Sequence, residues 1–130
     1  MYLWSLGLFA LFWWVLGHWV YPDWYHHVLG FEGYDDAFVK IIGTLTVLPV
    51  LGVFFTAANP LRNRDFVISL LALSILMAAT YVFLINTGQF PEGEYVNVAL
   101  LVVNTIVLSF LYPWNLAKVS IVNEWKIKNG

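Results

Sequence analysis

Four long apolar stretches dominate this sequence, and they leave the chain few structures to fold into. In a bilayer a helix satisfies all of its own backbone hydrogen bonds, and about 20 apolar residues suffice to cross the ~30 Å hydrocarbon layer. We therefore predict an all-α membrane protein with a single domain, residues 1–130, and four transmembrane helices. The predicted spans are residues 3–21, 36–58, 65–87 and 95–117, followed by a cytoplasmic tail at 118–130.

Proline and glycine mark the ends of these spans. Pro60 ends the second span because the residue before a proline disfavours helical geometry. Gly88 ends the third because glycine tolerates the left-handed conformation found just past a helix. Pro113 is expected to bend or terminate the fourth. The short connections predict an antiparallel up-down bundle.

Composition excludes several classes of protein. Only 11% of the 130 residues are charged, against about 25% in an ordinary soluble domain. Six Lys and Arg residues against eight Asp and Glu residues give no basic stripe of the kind that binds nucleic acid. With no Cys, the chain has no disulfide, no thiolate nucleophile and no Cys-based metal site.

The basic residues predict the orientation of the chain. Short cytoplasmic loops carry an excess of Lys and Arg in membrane proteins. Five of the six basic residues fall on one side of the predicted bundle, namely Arg62, Arg64, Lys118, Lys126 and Lys128. Both termini should therefore be cytoplasmic, with the lipid bilayer as the surrounding partner.

The first external loop is expected to contain a short helix on the outer membrane surface. Pro22 can begin it and Gly30 can end it. Trp24, Val28 and Phe31 recur at helical spacing between or just after these two residues. After this loop, Asp35 or Asp36 should cap the second span.

Aromatic residues are common at the predicted span ends, where amphipathic rings suit the headgroup layer. These expected anchors are Trp4, Trp19, Tyr21, Trp24, Tyr25, Tyr34, Tyr95, Tyr112 and Trp114. Trp13 and Trp14 differ because they lie in mid-span, where an indole N–H needs a partner. Packing against the second or fourth helix and stacking on a ligand are both open for this pair.

A candidate metal site lies at the outer end of the bundle. His18, Asp23, His26 and His27 are close in sequence to further carboxylates. Imidazole and carboxylate can bind zinc, copper or iron where no thiolate is present. Their spacing matches no established metal-binding motif, so the alternative is an interfacial loop in contact with headgroups and water.

A second set of candidate residues could bind a small molecule between the helices. The set consists of His18, Lys40, Asn86, Asn97 and Asn104. His18 lies one turn inside the first span, where an ionisable group needs a partner, and Lys40 can instead pair with Asp36 four residues earlier. Asn97 and Asn104 are seven residues apart and should face the bundle interior together.

Two further features concern helix packing. Pro49 should kink the second span near mid-membrane, and such kinks often border cavities. Ser74 and Ala78 form a small-residue step through which the third span can approach a neighbour closely.

The order of several turn motifs resembles a known group of proteins. The motifs are Tyr21-Pro22-Asp23-Trp24-Tyr25, Leu29-Gly30-Phe31, Gly43, and Ala58-Asn59-Pro60-Leu61-Arg62-Asn63-Arg64. In these the chain resembles the small four-helix bacterial inner-membrane proteins of the BphX-like and DoxX-like type. The resemblance implies a bacterial inner-membrane location and transfers no site residue. The arginine found early in the first helix of DoxX-like proteins is absent here.

The sequence contains no Ser/His/Asp triad motif, no phosphate-binding glycine loop and no acidic pair deep in a span. We therefore expect a non-enzymatic membrane protein that serves as an accessory or interaction subunit, or that forms homo-oligomers. One alternative is a binding or transport protein with an outward-facing pocket inside the bundle. The other is a metal or cofactor protein that uses the external histidines.

Overall fold

The computed structural model describes residues 1–115, and this part of the chain is helical without any strand. It contains five helices: α1 (Tyr2–Trp19), α2 (Pro22–Leu29), α3 (Asp36–Ala58), α4 (Arg64–Asn86) and α5 (Tyr95–Leu111). A 3₁₀ turn, Glu92–Glu94, precedes α5. Three helical segments are long and apolar enough to cross a membrane, and the bent pair α1–α2 is a candidate for a fourth span.

Helix α1 contains a wide turn at its centre. Leu11–Leu16 is π-helical, and the Gly17 amide donates to the Phe12 carbonyl five residues earlier. Such turns within α-helices are frequent at functional sites. After Trp19 the chain bends by 105° into α2.

Helix α2 confirms the short helix expected in the first external loop. Pro22 occupies its first turn, and Gly30 ends it with a φ of 86°, as the left-handed C-terminal position favours. Tyr25 and Leu29 are buried against the bundle, whereas Trp24 remains 50% exposed on the outward face. The helix therefore packs one face against the ends of the other helices.

The boundaries of α3 and α4 agree with the predicted spans to within one residue. The Asp35 carboxylate caps α3 by accepting a hydrogen bond from the Phe38 amide at 3.0 Å. Gly88, with a φ of 72°, follows the end of α4 as expected. Both ends were predictable because each depends on a local property of one or two residues.

Helix α5 is interrupted at the place where Pro113 was expected to bend or terminate the predicted span over 95–117. The helix ends at Leu111, Tyr112 has extended backbone geometry (ψ 131°), and Trp114 and Asn115 are again helical. Tyr112 precedes Pro113, and this position disfavours helix. Residues 116–117, the tail at 118–130 and its lysines lie outside the described residues.

The helices pack as two hairpins, α1 with α3 and α4 with α5, and contacts between α3 and α4 are much fewer. Ala10, Val15 and Val50 form the buried core of the first hairpin. Val67 and Leu108 belong to the core of the second. The volume of the space between the two hairpins therefore depends on how closely they approach each other.

Large apolar side chains cover the outward faces of the spans. Leu48 is 70% exposed, Phe55 68%, Leu76 65% and Phe110 84%. Exposed apolar area on this scale is unusual for a monomer in water. It suits helices surrounded by hydrocarbon.

Candidate functional site

The end of the bundle next to α2 contains a buried polar cluster centred on Asn97, which is fully buried. Its Oδ1 accepts hydrogen bonds from Trp13 Nε1 at 2.8 Å and Trp14 Nε1 at 3.3 Å. Its Nδ2 donates to Tyr25 Oη at 3.0 Å and to Glu94 Oε2 at 2.6 Å. We call Asn97 and these four partners the Asn97 clamp.

The Asn97 clamp has a structural role because the Asn97 amide has no donor or acceptor position left for a ligand. A carboxamide can accept two hydrogen bonds and donate two, and all four positions of Asn97 are used. The clamp joins α1, α2, α5 and the turn before α5. The partner that the indoles of Trp13 and Trp14 require is therefore a side chain of α5.

His18 and His26 are also occupied within the protein. Each Nδ1 lies close to the carbonyl four residues earlier, at 2.6 Å from Trp14 O and 2.8 Å from Pro22 O. Both imidazoles are buried, and the His18 ring centroid is 4.6 Å from that of Tyr25. Because a carbonyl only accepts hydrogen bonds, each Nδ1 acts as the donor.

Two of the four candidate metal ligands, His18 and His26, are brought together, with their ring centroids 5.7 Å apart, but the other two are not. Asp23 and His27 are exposed, whereas His18 and His26 are buried. Within residues 1–115 no group of three His, Asp or Glu side chains is placed to hold a metal ion.

Asp23 has a different partner, on the exposed side of α2. The Tyr34 hydroxyl donates a hydrogen bond to Asp23 Oδ1, and this bond raises the pKa of Tyr34 to about 12. The Tyr34 ring also stacks on His26 with the ring centroids 4.3 Å apart. This group of three side chains fixes the loop after α2 against the helix.

Two other candidate residues have local roles at the surface. Lys40 Nζ lies 2.6 Å from Asp36 Oδ2, which confirms the expected ion pair one turn apart on α3. Asn86 accepts a hydrogen bond from the Tyr95 hydroxyl at 3.4 Å.

A cavity lies deeper, between the two hairpins. Its volume is about 360 Å³, and it is partly open to the surroundings. Residues of α1, α3, α4 and α5 line it, among them Leu6, Ala10, Pro49, Val50 and Met77. Of the five residues predicted to bind a ligand, only Asn104 lines this cavity; the other four are held by the hydrogen bonds just described.

Most polar groups in the cavity wall have partners. The hydroxyls of Thr46, Ser74 and Thr105 donate to carbonyls three or four residues earlier in their own helices, at 2.7 to 2.8 Å. The Trp14 indole donates to Asn97. These groups present carbon to the cavity, so most of the wall is apolar.

Two groups in the wall are exceptions. The Tyr81 hydroxyl makes no hydrogen bond within residues 1–115, although Tyr81 lines the cavity. Asn104 Oδ1 accepts from the Tyr2 hydroxyl at 2.9 Å, but its Nδ2 likewise has no partner in that part of the chain. Both are hydrogen-bond donors at an apolar cavity.

Two residues of this region had a different or no role in the sequence-based prediction. Tyr25 was interpreted as an interfacial anchor, but it is 2% exposed and belongs to the Asn97 clamp. Glu94 was not among the predicted site residues, although its spacing of three residues before Asn97 is the spacing of a helical pair. Tyr81 stands out in the sequence as a polar residue within an apolar span, but its place in the cavity wall depends on the facing hairpin.

We compared the chain with protein-family models, with curated proteins and with solved structures, and none of these comparisons gave a match.

Proposed function

We propose that the chain forms an antiparallel bundle of four transmembrane helices in a bacterial inner membrane, with α2 on the outer surface and both termini in the cytoplasm. Support comes from the three to four apolar helices and from Arg62 and Arg64 in the connection between α3 and α4. In this orientation the Asn97 clamp lies near the outer surface.

We infer that the protein is a non-enzymatic binding protein that takes up an elongated apolar molecule from the bilayer. The observation that carries this proposal is the cavity of about 360 Å³ between the hairpins. Its volume lies within the range of small-molecule sites, which are concave and mostly apolar. Helices long and apolar enough to cross a membrane line the cavity, so the apolar molecules of the hydrocarbon layer are its nearest source of a ligand.

The accessory-subunit role predicted from the sequence has one observation in its favour. Ser74 lies in the cavity wall, and Ala78 is half-buried one turn further along α4. Small residues at this spacing allow close helix contact, so a helix from a partner or a second copy is the competing occupant.

Photolabelling distinguishes these two occupants. The purified protein in nanodiscs would be exposed to a long-chain alkyl diazirine that carries no oxygen, and the adducts mapped by mass spectrometry. We expect adducts concentrated on cavity residues such as Val50 and Leu71. Filling the cavity with S74F should remove these adducts, because the larger ring occupies the space.

The matched control is L76F, which adds the same ring to the same helix at a position that is 65% exposed. Its labelling should equal that of the wild type. Adducts spread evenly over the outward faces and unchanged in S74F would contradict the binding proposal. A dimer or a co-purifying protein whose presence blocks cavity labelling would favour the partner-helix occupant.

A further inference from the structure

We propose that the molecule bound between the hairpins carries a hydrogen-bond-accepting oxygen, such as a ketone, ester or ether oxygen, held by the Tyr81 hydroxyl and the Asn104 amide. This inference rests on the proposed binding function and specifies the chemical class of the ligand.

A hydrogen-bond donor that faces an apolar cavity is unfavourable without a partner, and the bilayer core has no bulk water to supply one. Tyr81 and Asn104 both line the cavity, and each carries a donor that has no partner in the described part of the chain. A ligand oxygen can accept a hydrogen bond from such a donor, whereas a plain hydrocarbon cannot.

Neighbouring residues hold both donors in place. The Tyr81 ring packs against that of Phe90 with the centroids 5.6 Å apart. The Asn104 amide is oriented by the Tyr2 hydroxyl, which donates to its Oδ1 at 2.9 Å and leaves Nδ2 as the free donor. These neighbouring side chains therefore fix the orientation of both donors in the folded protein.

The positions of the donors along their helices indicate how the ligand lies. At 1.5 Å per residue, Tyr81 is about 7 Å below the α2 end of α4, and Asn104 is about 13 Å below the start of α5. Leu108 lies still deeper, about 20 Å below that start, and it also lines the cavity. The ligand oxygen thus lies toward the α2 end, and the apolar remainder extends toward Leu108.

The wall also excludes charged headgroups. No Asp, Glu, Lys, Arg or His side chain of residues 1–115 lines this cavity. A phosphate or ammonium group would lose its hydration there without a counter-charge. The ligand class is a neutral, chain-like molecule with an acceptor oxygen.

The test compares tridecan-2-one with tridecane as competitors of the alkyl diazirine label in nanodiscs. In the wild type we expect the ketone to compete at about fivefold lower mole fraction, which corresponds to one net hydrogen bond of about 1 kcal/mol. Y81F should reduce this preference to near unity while the cavity is still labelled. N104L is the second variant and should also weaken the preference.

The control is Y95F, which removes a hydroxyl outside the cavity and should keep the fivefold preference. If the wild-type cavity is not labelled at all, the binding function itself fails. If the cavity is labelled but the ketone and the alkane compete equally, or the preference survives in both Y81F and N104L, the binding function stands and this inference is overturned.

Discussion

A single side chain, Asn97, connects three helices of this protein. Its amide uses two donors and two acceptor positions on four buried or half-buried partners, and such fully satisfied networks specify one arrangement of a core. N97A would leave all four partners without this amide, and each unpaired buried group costs about 1–3 kcal/mol. We expect a loss of several kcal/mol in the free energy of unfolding, measured by denaturation in detergent.

The control at the residue scale is N86A. Asn86 is exposed and accepts only one long hydrogen bond, at 3.4 Å, so its replacement should change the free energy of unfolding by less than about 0.5 kcal/mol. Equal stability of N97A and N86A would show that the Asn97 clamp does not hold the helices together.

Some of these side-chain positions and contacts could be predicted from the sequence. The inward direction of Asn97 followed from its seven-residue spacing to Asn104, and the pairing of Lys40 with Asp36 followed from their four-residue spacing. The partners of Asn97 did not follow, because Trp13 and Tyr25 are distant in sequence. Of the candidate metal ligands only His18 and His26 lie side by side, while His27 and Asp23 remain on the surface, so no group of three is formed in the described residues.

At the scale of elements, the contact that positions α2 is the approach of the 3₁₀ turn to the end of that helix. A Cβ added at Gly93 would lie 2.1 Å from the Leu29 carbonyl oxygen, and backbone cannot yield as a flexible side chain can. G93A should therefore displace α2 and destabilise the protein by about 1–3 kcal/mol. Thermal unfolding and proteolysis of the loop after α2 would both report the change.

Gly33 provides the matched control, because a Cβ there would meet nothing within 4 Å. G33A should leave both the melting temperature and the protease resistance unchanged. If G93A has the melting temperature and protease resistance of the wild type, then α2 does not pack closely on the 3₁₀ turn before α5.

Helix boundaries were predictable where a local signal sets them, as Asp35 does for α3 and Gly88 for α4. The interruption after Leu111 was predictable in the same way, because Pro113 was expected to bend or terminate this span. The π-helical turn in α1 has no comparable sequence signal. It coincides with the region where Trp13 and Trp14 reach across to α5.

At the scale of the whole molecule, the charge distribution predicts the orientation in the membrane. The chain has no Cys, so a single introduced Cys is a unique reporter. D65C, at the start of α4, should react with an impermeant thiol reagent only from the cytoplasmic side. Q89C, in the connection before α5, should react only from outside.

Intact cells and opened vesicles of the same strain supply the two conditions for each variant. Labelling of D65C from outside would reverse the proposed orientation, and labelling of both variants from one side would contradict the four-span bundle. The bacterial inner-membrane location, which the resemblance to BphX-like and DoxX-like proteins implies, stays a prediction.

The cavity could not be predicted from the sequence, because it depends on how the two hairpins face each other. Pro49 and Asn104 were expected to border or face the interior, but nothing in a single span indicates the distance to the next hairpin. We propose that this space holds a chain-like molecule. A structure determined in lipid nanodiscs tests it most directly, and we predict elongated density between the hairpins with one end within hydrogen-bonding distance of Tyr81. Hairpins packed directly against each other, with no space between them, would contradict the account.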